Sequence, residues 1–278
     1  MFKELKGREL RDSAETFSRW ILRTARTPSP VIGINGHPGS GKTTLASRIK
    51  ENLEKAGKRT VSFSIDDFYW SYDKREKEAR KRKLLDVRGP GTHDTRLAAE
   101  VIRNLSGAKE ETVTRIPRFN KWLKGGKGDR APKKDWQIFK GRPDFIIFEG
   151  WNLCEAPVND NKIKSPVNRI ESRLDPDSET AEYINSRLKT DYSRLWKYIE
   201  LLIMIYTEDF DDVYRHRLQQ EKELRAAGKE AMTDRQVRDF VDHYQRWVQH
   251  IAETLPETAD IVVEIDAERR IKDVKCRQ

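Results

Sequence analysis

The octet Gly36-His37-Pro38-Gly39-Ser40-Gly41-Lys42-Thr43 constrains this chain more than any other stretch. It follows the apolar run Val31-Ile32-Gly33-Ile34. It precedes a helical pattern with Leu45, Ala46, Ile49 and Leu53 on one face. Glycines let the backbone turn tightly there, so that successive N–H groups converge on one point. The N-terminus of the following helix adds positive potential. A strand, such a turn and a helix make a cradle for phosphate groups, and the octet matches the P-loop pattern. In that pattern Lys42 reaches the terminal phosphates and the Thr43 hydroxyl can bind Mg²⁺. The candidate nucleotide-binding residues are therefore Gly36, His37, Pro38, Gly39, Ser40, Gly41, Lys42, Thr43 and Thr44.

The rest of the chain supplies a matching frame. Val61, Phe63 and Ile65 alternate with serines, as in a strand. Phe145-Ile146-Ile147-Phe148 is apolar on both faces, as a central parallel strand should be. Leu201 to Tyr206 and Ile261 to Val263 are further strands, and Val113 to Ile116 is a weaker one. Strands alternating with helices predict an α/β fold: a doubly wound, mostly parallel sheet flanked by helices, the P-loop NTPase arrangement. Ligands of such sheets sit beyond the carboxyl ends of the strands. Residues 1–27 read as an amphipathic helix carrying Phe2, Leu5, Leu10, Phe17, Trp20 and Ile21, ended by Pro28 and Pro30. The expected organisation is this helix (1–30) packed on a domain spanning 31–278, with a small helical lid around 208–232. Thr233 and Gln236 fit a capping box ahead of a stripe from Val237 to Ile251. Residues 155–180, rich in Pro, Asn, Asp and Ser, read as an extended surface insertion.

Composition bounds the setting. No apolar run approaches the ~20 residues of a membrane helix, so no membrane partner is expected. Met1-Phe2-Lys3-Glu4 does not open a signal peptide. The two cysteines, Cys154 and Cys276, fit neither a disulfide framework nor a zinc site, and a cytoplasmic location is expected. The net charge of +9 suits anionic small molecules or nucleic acid. The basic stretch 74–83 supports the second option, although Glu76 and Glu78 interrupt it.

Carboxylates stand where the fold places chemistry. Asp66 and Asp67 follow the second strand, and either can orient a hydroxyl and accept its proton. Asp66 is the candidate base, and it can also reach the metal; the pair could instead cap a helix. Glu149 ends the run from Phe145 to Phe148, at the usual position of the Mg²⁺ partner. Arg88, His93 and Asp94 in Arg88-Gly89-Pro90-Gly91-Thr92-His93-Asp94 can bind an oxyanion or hydroxyls. Arg118 and Lys121 belong to a basic loop suited to an anionic substrate. Arg215 and Arg217 can close over phosphates from the lid. Solvated or salt-bridged surface charge is the competing reading of these basic segments.

Together these segments resemble the D-glycerate 3-kinase family of plants and fungi. That family lies within the P-loop group that includes phosphoribulokinase, uridine kinase and pantothenate kinase. The resemblance rests on Gly36 to Thr44, Ser64-Ile65-Asp66-Asp67-Phe68-Tyr69, the loop from Arg88 to Asp94, and Ile116-Pro117-Arg118-Phe119-Asn120-Lys121. It continues through Gly126-Lys127-Gly128-Asp129-Arg130, Phe148-Glu149-Gly150-Trp151, Val213 to Gln219 and Met232-Thr233-Asp234. It implies ATP, Mg²⁺ and phosphorylation of the 3-hydroxyl of D-glycerate. It makes Asp66 the base, with Lys42, Arg215 and Arg217 as catalytic cations and Glu149 as the Mg²⁺ partner. Asp67, Tyr69, His93 and Asp94 then fall on the acceptor side, and Arg88, Arg118 and Lys121 are the candidates for the substrate carboxylate. Phe119-Asn120, Trp122 and Trp151-Asn152 depart from the family pattern, all in the acceptor region. Kinases of nucleosides, pantothenate or sugar phosphates are the alternatives, followed by a nucleic-acid-binding ATPase and a non-catalytic ATP-bound regulator.

Overall fold

The computed structural model describes residues 2–82 and 88–277; Met1 of the expected N-terminal helix, Lys83 of the basic stretch and Gln278 of the expected domain 31–278 lie outside them. The run that precedes the phosphate loop is strand β1 (Val31–Gly36), buried at every residue. The further strands are β2 (Thr60–Ser64), β3 (Val113–Ile116), β4 (Phe119–Asn120), β5 (Asp129–Arg130), β6 (Gln137–Lys140), β7 (Phe145–Gly150), β8 (Ile199–Tyr206), β9 (Ile261–Ile265) and β10 (Ile271–Cys276). The α-helices are α1 (Ala14–Thr24), α2 (Lys42–Lys55), α3 (Tyr72–Arg82), α4 (Thr95–Ser106), α5 (Asp160–Ile163), α6 (Arg169–Leu174), α7 (Glu179–Arg187), α8 (Ser193–Trp196), α9 (Phe210–Ala226) and α10 (Asp234–Thr254).

The main sheet runs β10-β9-β8-β1-β7-β2. All neighbours are parallel except β9 and β10. Period-two alternation sends its side chains to two cores. Ile32, Ile34, Ile147, Ile203 and Val263 pack with α1 and α2 on one face. Val61, Phe63, Ile146, Phe148 and Met204 pack with α4 and α10 on the other. Each such side chain taken from water stabilises the fold by roughly 1.5–3 kcal/mol. The expected doubly wound sheet is therefore present, and no described helix is long and apolar enough to cross a membrane.

Four details differ from the sequence reading. The N-terminal segment is not one helix: Gly7, at φ +81°, separates two short 3₁₀ turns that precede α1. The weak strand β3 is not in the main sheet but pairs antiparallel with β6. Strand β10 escaped notice because only Ile271 of its residues is fully buried. Residues 155–180 are not an extended insertion. Their polar residues are local fasteners: Asn159 and Asn168 cap α5 and α6, and Asp175 accepts from Thr180 N and Ala181 N.

This segment is bolted to α10 by a buried pair. Arg246 Nη2 lies 2.6 Å from Glu171 Oε2, with the two side chains only 4% and 7% exposed. The guanidinium also donates to the carbonyls of Lys162 and Ser165. Glu171→Ala strands a buried cation and should destabilise the fold by about 3–5 kcal/mol. Glu171→Gln should cost less. Urea unfolding of the two variants checks this order.

Candidate active site

The phosphate loop is shaped by what lies against it. Gly39 takes φ +85° and Gly41 φ +90°, a region that side chains disfavour. A Cβ at Gly39 would lie 2.7 Å from the carbonyl carbon of His216 in α9, so the loop tip rests on helix backbone. Below it, His37 Nε2 meets His216 Nδ1 at 2.9 Å, and His216 Nε2 meets the Asp266 carbonyl at 2.8 Å. The carbonyl only accepts, so His216 donates to it and accepts from His37. Burial lowers the pKa of both rings, which keeps this donor chain neutral.

Beyond the loop, Thr43 Oγ1 donates to Glu149 Oε1 at 3.1 Å. Glu149 Oε2 is buried without a partner. Burial raises the Glu149 pKa, and the nearby Lys42 opposes the rise. Lys42 is shifted down by its own burial, with Glu149 and Asp66 pulling it back up.

Asp66 is presented by a 3₁₀ turn that the sequence encodes locally. Ser64 and Asp67 form a capping box, with Asp66 N donating to Ser64 Oγ at 3.2 Å and Ser64 N to Asp67 Oδ2 at 3.0 Å. Asp66 Oδ2 pairs with Lys121 Nζ at 3.0 Å, while Oδ1 is buried and unpartnered. Burial pushes this carboxyl up, but Lys121, His93 and Lys42 outweigh it and hold it down at about 2. Burial in turn holds the His93 ring down at about 3. His93 is therefore neutral at physiological pH and carries charge only in the acid range where Asp66 titrates.

A cleft of roughly 590 Å³ brings together Pro38, Gly39, Lys42, Thr43, Asp66, Tyr69, Arg88, Lys121 and Arg217. Arg88 Nη1 is buried with no partner. Arg217 is ion-paired with Glu221 and stacked over Phe240 at 5.0 Å. Tyr69 stacks on the fully buried His93, with ring centroids 4.2 Å apart. A second opening on the other side of the loop is lined by Ser40, Gly41, Thr44, Arg215 and the turn Ala267–Arg269. Glu9, Leu10 and Arg11 complete it, a role for the N-terminal segment that no motif signalled.

Several expected substrate residues are engaged elsewhere. Arg118 donates to Asp67 Oδ2 at 2.8 Å and also bonds Gln137. Asp67 additionally accepts from Phe119 N at 3.2 Å, so this pair fastens the β4 loop instead of facing the cleft. Asp94 caps α4 through Leu97 N and faces Arg130 at 3.5 Å. Arg215 pairs with Asp212 and faces the second opening. Phe119, one of the departures, packs against Tyr69 and lies 5.4 Å from the guanidinium of Arg75 and 5.9 Å from that of Arg88. Trp122 stands 59% exposed on the cleft rim. The stretch from Lys74 is mostly α3, whose Glu76 and Glu78 pair with Arg80, Lys81 and Lys127. Among the described residues no group of three or more His, Cys, Asp or Glu side chains could hold a metal. The Thr43–Glu149 pair offers a hydroxyl and two carboxylate oxygens, one of them buried and unmet, which fits a cation that takes its remaining ligands from phosphates and water.

The sheet order, the loop after β1 and the carboxylates after β2 and near the end of β7 define a P-loop kinase fold. The chain belongs to the phosphoribulokinase/uridine kinase family, whose pattern it matches over residues 31–179. It is 34% identical over 256 residues to the chloroplastic D-glycerate 3-kinase of Arabidopsis thaliana, covering 87% of this chain and 54% of the relative. The chain thus spans about half the length of that plant protein. It is 33% identical to the uncharacterized kinase mug58 of Schizosaccharomyces pombe, covering 77% of this chain and 78% of the relative. The structure of D-glycerate 3-kinase from Cryptococcus neoformans superposes with a TM-score of 0.76 at 27% identity, covering 96% of this chain and 97% of that one.

The Asp66–Lys121 pair carries a pH signature. A depressed carboxylate contributes stability above its unfolded pKa of about 3.9 and loses it as pH falls through the folded value. Lys121 is 60% exposed, so screening holds the pair to about 1 kcal/mol or less. Lys121→Met should be less stable than wild type by that amount near pH 6, and the difference should close as pH falls from about 4 to 2. Denaturant unfolding across that range reads it.

Proposed function

We propose that this chain is an ATP-dependent kinase that phosphorylates the 3-hydroxyl of D-glycerate. The observation that carries the reading is the meeting of three groups in one cleft: Lys42, Asp66 with a free Oδ1, and Arg88 with a free Nη1. The kinship with two D-glycerate 3-kinases supports it.

In this reading the triphosphate lies along the loop, its terminal phosphate beside Lys42 and its nucleoside end in the second opening. Arg88 takes the glycerate carboxylate, because its Nη1 lacks a partner while Arg118 is committed to Asp67. Asp66 stays ionised through the neutral range and orients the substrate hydroxyl. That oxygen bonds to the γ-phosphorus, the bond from phosphorus to the β–γ bridging oxygen breaks, and the hydroxyl proton passes to Asp66 Oδ1. Lys42 and Arg217 offset charge on the transferring group. Thr43 and Glu149 would hold Mg²⁺, which when bound neutralises phosphate charge. Arg217 lies on α9, the helix that with the segment to about residue 232 forms the lid. Both cysteines are free thiols, which suits the cytoplasm.

ADP release from ATP and Mg²⁺ should rise when D-glycerate is added; no stimulation at millimolar levels refutes the substrate. Asp66→Asn should lower turnover by on the order of 10²–10⁴ while ATP binding persists. Arg88→Ala should raise the glycerate KM by roughly 10- to 100-fold with little change in the ATP KM.

A further inference from the structure

The motif Met232-Thr233-Asp234 has no part in the roles above, yet one buried side chain ties it to the cleft. Glu221 stands in α9, one turn after Arg217, with its side chain only 2% exposed. Its Oε1 is ion-paired with Arg217 Nη2, and its Oε2 accepts from Met232 N at 2.7 Å. One turn further on, Arg225 donates to the Met232 carbonyl at 3.3 Å and to Asp234 Oδ1 at 3.0 Å. The connection from α9 to α10 is thus drawn back onto α9 at Met232. Glu230, Ala231 and Met232 of that connection line the same cleft as Lys42, Asp66 and Arg217.

Arg217 is gripped at both terminal nitrogens. Nη1 donates to Gln220 and Nη2 pairs with Glu221. Its Nε–H is buried with no acceptor among the described residues. The ring of Phe240 lies 5.0 Å from the guanidinium carbon. The backbone N of Arg217 is 2.9 Å from the point a Cβ on Gly39 would occupy, so the residue starts against the phosphate loop. An exposed pair at this helical spacing would be worth little, but this one is buried. Such a pair adds little net stability over apolar packing. It does remove rotamer freedom that a long side chain must otherwise surrender when a ligand arrives.

We propose that Glu221 is a positioning residue: one carboxylate oxygen fixes the Arg217 guanidinium at the cleft and the other fixes the backbone of Met232, so that the cation offered to the transferring phosphoryl group and the wall beside it are held in one arrangement. The inference rests on Arg217 offsetting charge on that group, so its test has an arm that needs no substrate. Glu221→Gln separates the two contacts. The amide oxygen still accepts from Met232 N, while the charge is gone and an amide donor faces the guanidinium. In ¹⁵N-arginine-labelled protein without ligand, at about pH 7, Arg217 Nε–H should give a slowly exchanging signal. Its loss in Arg217→Met assigns it. Glu221→Gln should speed that exchange by roughly tenfold or more. The kinetic arm uses ATP and D-glycerate. Arg217→Met should lower kcat by on the order of 100-fold and Glu221→Gln by roughly tenfold, both with the D-glycerate KM unchanged. In the double variant Glu221→Gln should cost less than about twofold beyond Arg217→Met, since nothing is left for it to position. Equal exchange in wild type and Glu221→Gln overturns the proposal. So does a Glu221→Gln kcat at or above that of wild type, or a full cost of Glu221→Gln in the double variant. If Arg217→Met keeps the wild-type kcat, the role of Arg217 fails and the proposal falls with it. If wild type ignores D-glycerate, the substrate reading fails, and the exchange rates alone decide whether Glu221 holds Arg217.

Discussion

The seat of the phosphate loop on α9 governs the rest of the site. At Gly39 there is room for a hydrogen and nothing larger, because the backbone of His216 is in contact. The buried bond from His37 to His216, and from there to the Asp266 carbonyl, fastens three distant segments in one register. Arg217 follows His216, so its place over the cleft is set by the same contact. Helix α9 is therefore anchored on the phosphate loop at His216. Arg217 lines the cleft from that anchored part of the helix.

Around that seat, charge is organised by burial. Lys42 and Lys121 face Asp66 and Glu149, and Arg217 is paired with Glu221, so cations and carboxylates alternate around the cleft. The Asp66–Lys121 pair also keeps the carboxylate charged and held to one side, leaving one oxygen unmet. A site arranged in this way has its charged groups oriented before a ligand arrives, which reduces the reorganisation left for the reaction.

The phosphate loop, the parallel sheet and the acid after β2 were legible because each is written in contiguous residues. Thr233 and Gln236 announced α10 for the same reason, and the capping box is present. Misreadings arose where a partner is far along the chain. Arg118 looked like a substrate cation because nothing local shows that Asp67, 51 residues earlier, takes its guanidinium. Asn159, Asn168 and Asp175 looked like surface polarity, yet they saturate backbone donors of short helices. Glu221 carried no signal, since an acid in a polar helix reads as surface charge. Phe119 and Trp122, marked as departures, have separate fates: one is packed between arginines and Tyr69, the other stands at the rim.

The second opening of the loop has walls drawn from both ends of the chain. Residues 9–11 face the turn Ala267–Arg269 across it, and Leu10 N donates to the Arg269 carbonyl at 3.2 Å. During synthesis the phosphate loop emerges early, but the walls that complete this opening exist only once residue 269 has been made. A nascent chain can thus form the cradle without its enclosure. The earlier part of the sheet must then hold together on its own packing.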